Sequence, residues 1–163
     1  MIVDKAPTAA VFAAYLLTSA AVAAAAAKDP FVGTWKLNVE KSKFEGGTPP
    51  KSSVATITTS GDKRRLVVHT VPASGPELTT ESTAADDGKD YPMKGSPTVD
   101  TVSVIKIDER TLERRDKKNG QVVTTMRATV SGDGKTMTVV QRGAAQQGGT
   151  FTNTLVYDRQ SQR

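Results

Sequence analysis

The chain has 163 residues, no cysteine and a formal net charge of +5. This length suits one domain better than two, and the lack of cysteine excludes disulfides, thiolate catalysis, cysteine-ligated zinc and a lipid-modified N-terminal cysteine. The moderate positive charge favours solubility and weak attraction to anionic surfaces, and it does not by itself indicate a nucleic-acid binder.

The N-terminal segment has the pattern of an export signal. Residues 8–27 carry no charge and end in a run of alanines, of which Ala25-Ala26-Ala27 satisfies the small-x-small rule for signal peptidase. We expect residues 1–27 to be a signal peptide that is cleaved before Lys28, which makes the protein periplasmic or secreted. The stretch also approaches the length of a membrane span, so a retained anchor is the alternative.

In residues 28–163, turn signals alternate with runs rich in threonine and valine. Such runs suit half-buried strands. Asn119-Gly120 and Asp133-Gly134 supply the positive φ angles that tight hairpins need. The predicted strands, in chain order, are Gly33–Asn38, Ser53–Thr59, Arg64–Val71, Leu78–Ala84, Thr101–Asp108, Thr111–Lys117, Gln121–Val130, Thr136–Arg142 and Thr150–Tyr157, with Asp90–Met93 as a short additional piece.

The later strands show a period of two, which places one face inward and one outward. On one face of the strand at 121–130 lie Val122, Thr124, Met126, Ala128 and Val130. No window supports a long amphipathic helix. The predicted fold is therefore all-β, a single antiparallel up-and-down barrel of about eight to ten strands, because closure removes exposed edges. A sandwich is the alternative.

Several short motifs carry a resemblance to a known group. Gly33-x-Trp35 in a first strand resembles the G-x-W signature of lipocalins and related calycins. The motifs that together resemble a bacterial lipocalin-like domain family of unknown function are Gly33–Asn38, Lys89–Ser103, Asp133–Val139 and Val156–Asp158. This resemblance implies a β-barrel with an internal pocket and names no ligand. The run Phe31-x-Gly33-Thr34-Trp35-Lys36-Leu37 also resembles the opening of fatty-acid-binding proteins, but Leu155 stands where those proteins carry an arginine that binds the ligand carboxylate.

The expected ligand-binding residues follow from the inward faces of the strands. Trp35 is predicted to plug the closed end of the barrel, with direct ligand contact as the alternative. The predicted pocket wall consists of Trp35, Met126, Met137, Phe151, Leu155 and Tyr157. Leu66, Val68 and Val139 are further inward-facing candidates.

No residue pattern indicates catalysis, a metal site or a cofactor. His69 is the only histidine, and an ordinary surface or rim histidine is favoured over a haem ligand or a catalytic base. Asp86, Asp87 and Asp90 surround Gly88 but lack the oxygen spacing of a calcium loop, which favours a polar hairpin turn.

There are two basic clusters, Lys63-Arg64-Arg65 and residues 114–118. We interpret them as solvated hairpins whose charges prevent exposed sheet edges from pairing with another chain. Neither cluster contains a stacking aromatic, so we expect no nucleic-acid partner. The leading hypothesis is a monomeric, non-enzymatic barrel that binds a small apolar or amphipathic molecule. The alternative is an envelope interaction protein with a packed barrel, whose basic hairpins make weak contact with an anionic partner or surface. An enzyme is the third hypothesis, and the presence of a cavity separates the first two.

Overall fold

The computed structural model describes residues 28–45, 47–144 and 148–161. The predicted signal peptide, residues 1–27, lies outside the described residues, so its cleavage stays a prediction. The part of the chain that the structure describes contains no helix long and apolar enough to cross a membrane.

Ten antiparallel strands form a closed barrel, which confirms the predicted fold class. They are β1 Gly33–Lys43, β2 Ser52–Ser60, β3 Lys63–Val71, β4 Leu78–Ala84, β5 Tyr91–Lys94, β6 Thr101–Asp108, β7 Thr111–Lys118, β8 Gln121–Val130, β9 Thr136–Ala144 and β10 Thr150–Arg159. Each strand pairs with its neighbours in sequence, and β1 pairs with β10 to close the barrel. The short piece predicted near residue 91 is β5.

The up-and-down order gives the barrel two distinct ends. The lower end, as we define it, holds residues 28–32, the end of β10 and the turns that follow β2, β4, β6 and β8. The upper end holds the connections that follow β1, β3, β5, β7 and β9. At the upper end, Asn119 and Gly120 have φ angles of 51° and 76°, as a two-residue hairpin turn requires.

One predicted face is wrong near the upper end of β8. Asp116 and Lys117 are adjacent on β7, but they pair with Thr124 and Val122, which leaves Val123 as the extra residue of a β-bulge. Val122 is therefore 51% exposed instead of facing inward. Below the bulge, Met126 and Ala128 face the barrel interior as predicted.

The densest part of the core lies at the lower end. Trp35, Phe31 and Val130 are almost completely buried there and belong to one apolar cluster. A smaller cluster, built around Ala84, Val99 and Val102, lies beside β5. The position of the main cluster closes the lower end and leaves the middle of the barrel to the site described next.

Candidate functional site

Trp35 forms a plug at the lower end of the barrel. Its side chain is fully buried, and its Nε1 donates a hydrogen bond to the Phe31 carbonyl at 2.8 Å. The guanidinium of Arg159 stacks on the indole, 4.0 Å from the ring centroid. Arg159 also donates to the carbonyls of Val32 at 2.7 Å and Gly134 at 2.5 Å, which ties the N-terminal segment to the turn after β8.

Gly33 makes this arrangement possible. Its φ angle is 145°, and a Cβ at this position would come within 2.4 Å of an Arg159 guanidinium nitrogen. Glycine is therefore required because it leaves space for the arginine and adopts the unusual backbone conformation. The Gly33-x-Trp35 pattern thus specifies how the lower end of the barrel is plugged.

Above the plug, a cavity of about 510 Å³ lies inside the barrel. This volume lies within the range of about 300–1,000 Å³ that is typical of small-molecule sites. Of the predicted wall residues, Met126, Met137, Leu155 and Tyr157 line the cavity. Leu66, Val68 and Val139 also line it. Contact of these side chains with a ligand stays a prediction.

Two predicted wall residues need correction. Trp35 does not line the cavity, because it lies beneath it in the plug, and Phe31 forms the wall at this end instead. Phe151 does not line it either, since it sits near the upper end of β10 opposite Gly143. A Cβ at Gly143 would come within 2.9 Å of the Phe151 ring, so the ring covers the space that the glycine leaves open.

Hydroxyl groups form part of the cavity wall. Ser53 is only 4% exposed, and its Oγ lies 3.1 Å from Oγ1 of Thr70. Burial raises the pKa of Tyr157, and a hydrogen bond with Ser53 opposes part of that effect. The three side chains form a chain of neutral donors and acceptors along β10, β2 and β3.

Two amide side chains lie toward the upper end. The Oδ1 atom of Asn153 accepts a hydrogen bond from the Glu45 backbone N–H at 2.8 Å, and its Nδ2 donates to Oε1 of Gln141 at 3.3 Å. Both amides line the cavity, together with Phe44 and Pro50 from the β1–β2 connection. The upper wall is therefore more polar than the wall around Met137.

The basic clusters are not entirely solvated, which corrects the sequence interpretation. Arg64 and Arg114 both line the cavity. Nε of Arg114 donates to Oδ1 of Asp116 at 2.6 Å, and the two side chains are 15% and 6% exposed. Arg64 pairs with Asp29 at 2.5 Å and also with Asp86. The alternation along β3 and β7 accounts for this, since every second side chain points inward.

The outward members of the same clusters are also paired with carboxylates. Arg65 donates to both carboxylate oxygens of Glu81, at 2.9 and 3.0 Å. The remaining pairs are Arg115 with Glu113 at 2.8 Å, Lys117 with Asp90 at 2.6 Å and Lys118 with Asp100 at 2.7 Å. The positive charge of these hairpins is thus largely compensated on the barrel surface.

His69 and the aspartates near Gly88 do not converge on a site. The His69 ring lies on the outer surface, with Nδ1 3.0 Å from Oγ1 of Thr79 and Nε2 3.3 Å from a Glu77 oxygen. The three aspartates have different partners. Asp86 pairs with Arg64, and Asp90 pairs with Lys117. Asp87 accepts a hydrogen bond from the Tyr91 hydroxyl and pairs with Lys89. Among the described residues, no group of three or more His, Cys, Asp or Glu side chains is placed to hold a metal ion.

Comparison with known proteins assigns the chain to no family. Neither a protein-family model nor a curated protein matches the chain. Five chains of solved structure match it. One is zebrafish ileal bile acid-binding protein in complex with cholic acid, with 15% identity, a TM-score of 0.49, and coverage of 80% of this chain and 99% of that chain. Membership in a bacterial lipocalin-like family therefore stays a prediction.

Proposed function

We propose that the protein is an exported, non-enzymatic binding barrel for a small apolar or amphipathic molecule, acting in the periplasm or outside the cell. The observation that carries this proposal is the cavity of about 510 Å³ inside the barrel. Protein interiors are normally close-packed, with few voids larger than a water molecule. A void forfeits packing contacts and destabilises the fold, so a cavity of this size is best explained by a molecule that fills it.

The distribution of side chains favours an amphipathic occupant. On β9 the inward residues from the lower to the upper end are Met137, Val139 and Gln141, and on β10 they are Tyr157, Leu155 and Asn153. Both strands thus change from large, mostly apolar side chains to amides toward the upper end. An apolar body would lie deep in the cavity, and a polar group would reach the amides near the upper end.

The alternative, a packed barrel that binds an anionic partner through its hairpins, is less well supported. The barrel interior is hollow instead of packed. In addition, the outward cations Arg65, Arg115, Lys117 and Lys118 each have a carboxylate partner. Exposed ion pairs of this kind reduce the positive potential that an anionic partner would recognise.

A titration with the neutral fluorescent probe N-phenylnaphthylamine tests the proposal. Met126→Trp would place an indole in the cavity, and we expect it to raise the Kd of the probe by about tenfold or more. Arg127→Ala is the matched control because Arg127 is the next residue on β8 and is exposed on the outer face. It should leave probe binding unchanged.

Two results would overturn the internal-pocket proposal. One is the absence of probe binding to the wild-type protein. The other is equal binding to the wild type and to Met126→Trp, provided that the variant is folded by circular dichroism, because a probe that ignores the filled cavity would be bound on the surface.

A further inference from the structure

The charges in the cavity wall are balanced by neighbouring residues of the protein itself. Arg114 and Asp116 lie two residues apart on β7 and both face the interior. Their side chains are joined by the 2.6 Å hydrogen bond between Nε and Oδ1, and both are largely buried. The guanidinium is further held by a contact of 3.9 Å between Nη2 and the sulfur of Met93.

The second arginine of the cavity is balanced in the same way. Arg64 donates from Nε to Asp29 at 2.5 Å and from Nη1 to Asp86. Burial disfavours its charge, but the hydrogen bonds and charges of Asp86 and Asp29 outweigh burial and raise the pKa of Arg64. Each arginine in the wall is thus already matched by at least one carboxylate.

An anionic ligand would meet an unfavourable environment at either arginine. To bind Arg114, a carboxylate would have to displace Asp116 or lie beside it, and a displaced Asp116 would remain buried without its partner. Removing one member of a buried ion pair is strongly destabilising because the other charge loses its compensation. At Arg64, the carboxylates of Asp29 and Asp86 would repel a third carboxylate.

Uncharged polar groups meet no such obstacle. Ser53, Thr70, Gln141 and Asn153 all line the cavity, and each of these side chains can hydrogen-bond with a hydroxyl or carbonyl group. Binding of such a group leaves both arginine pairs intact. The balance of free energy therefore favours a ligand without net charge.

We propose that the cavity selects an uncharged amphipathic molecule, with an apolar body and a hydroxyl or carbonyl group, over the corresponding carboxylate, and that Asp116 is the residue that excludes anions. This inference rests on the proposed function, because it specifies the ligand class of the same cavity. It also assigns a specificity role to Asp116.

The test compares two ligands of equal chain length, dodecanol and dodecanoate, as competitors of N-phenylnaphthylamine at about pH 8, where a carboxylic acid is ionised. The wild-type protein should bind dodecanol at least about tenfold more tightly. Asp116→Asn keeps the side-chain shape and leaves the Arg114 charge uncompensated, so it should strengthen dodecanoate binding by about tenfold, the usual effect of a hydrogen bond to a charged group. Dodecanol affinity should change by less than about threefold, the effect of an ordinary neutral hydrogen bond.

A matched control and a second variant make the result specific. Asp90→Asn removes a carboxylate from the exterior pair with Lys117 and should change neither affinity. Asp86→Asn tests the same idea at Arg64 and should also strengthen dodecanoate binding, by a smaller factor because Asp29 remains. This second variant decides the question if Asp116→Asn does not fold.

The outcomes separate the inference from the proposed function. If the wild type binds dodecanoate as tightly as dodecanol, or if the folded Asp116→Asn and Asp86→Asn variants keep the wild-type ratio of the two affinities, the selection of uncharged ligands is wrong while the binding barrel stands. If the wild type binds neither the probe nor dodecanol, the proposed function itself fails.

Discussion

The lower end of the barrel and the cavity above it are formed by the same ten strands, yet they are packed in opposite ways. At the lower end, Trp35 is fully buried between Phe31 and Arg159. Two residues further along β1, Leu37 faces a space of about 510 Å³. The comparison indicates that the dense plug stabilises the barrel, so that the wall above it can leave room for a ligand.

The strongest test of the plug is Trp35→Ala. Truncation of a fully buried tryptophan should cost about 3–5 kcal/mol of unfolding free energy, because it removes apolar burial and leaves a void. It also removes the hydrogen bond to the Phe31 carbonyl. Urea denaturation measures the loss, and a cost below about 1 kcal/mol would show that the lower end is not the stabilising region.

Arg159→Met should have a smaller effect, of about 2 kcal/mol. Methionine keeps much of the apolar contact with the indole, but the cation–π interaction and the hydrogen bonds to the backbone carbonyls are lost. Arg65→Met is the control, since Arg65 is an exposed arginine whose partner is Glu81; such pairs contribute little to stability. Equal effects of the two variants in urea would show that Arg159 does not fix the plug.

Leu155→Ala should have the smallest effect on stability, about 1–2 kcal/mol. Leu155 is only partly buried and faces the cavity, so its truncation removes fewer packing contacts than truncation in a filled core. The enlarged cavity should accept bulkier neutral probes than the wild type. If the loss in urea denaturation matched that of Trp35→Ala, the contrast between plug and cavity would disappear.

The fold could be predicted from the sequence because its signals are local. Alternating side chains and turn residues such as Asn119 and Gly120 specify the strands and the hairpins between them. The bulge at Val123 could not be predicted, since it depends on how β7 and β8 pair. Facing inward also does not distinguish plug from wall: Trp35 plugs the lower end as predicted, and only its additional place among the cavity residues was wrong.

The polar part of the cavity was missed for a different reason. Arg114 and Asp116 belong to a run of charged residues, and such a run usually indicates a solvated hairpin. However, Arg114 and Asp116 lie two and four residues after Leu112, an apolar residue of the same strand that faces the interior. This spacing predicts that both charged side chains also face inward. The ion pair that makes an inward arginine tolerable becomes visible only in the three-dimensional structure.

Methyl NMR tests the central claim, a binding cavity inside the barrel, most directly. Outside the predicted signal peptide, the methionines are Met93, Met126 and Met137, and all three line the cavity. The isoleucines provide the contrast, since Ile57 lines the cavity while Ile105 and Ile107 are 38% and 48% exposed. With these methyl groups labelled, bound dodecanol should show nuclear Overhauser contacts to Met126, Met137 and Ile57 and none to Ile105 or Ile107. Contacts confined to the two exposed isoleucines would place the ligand on the outer surface and contradict the account.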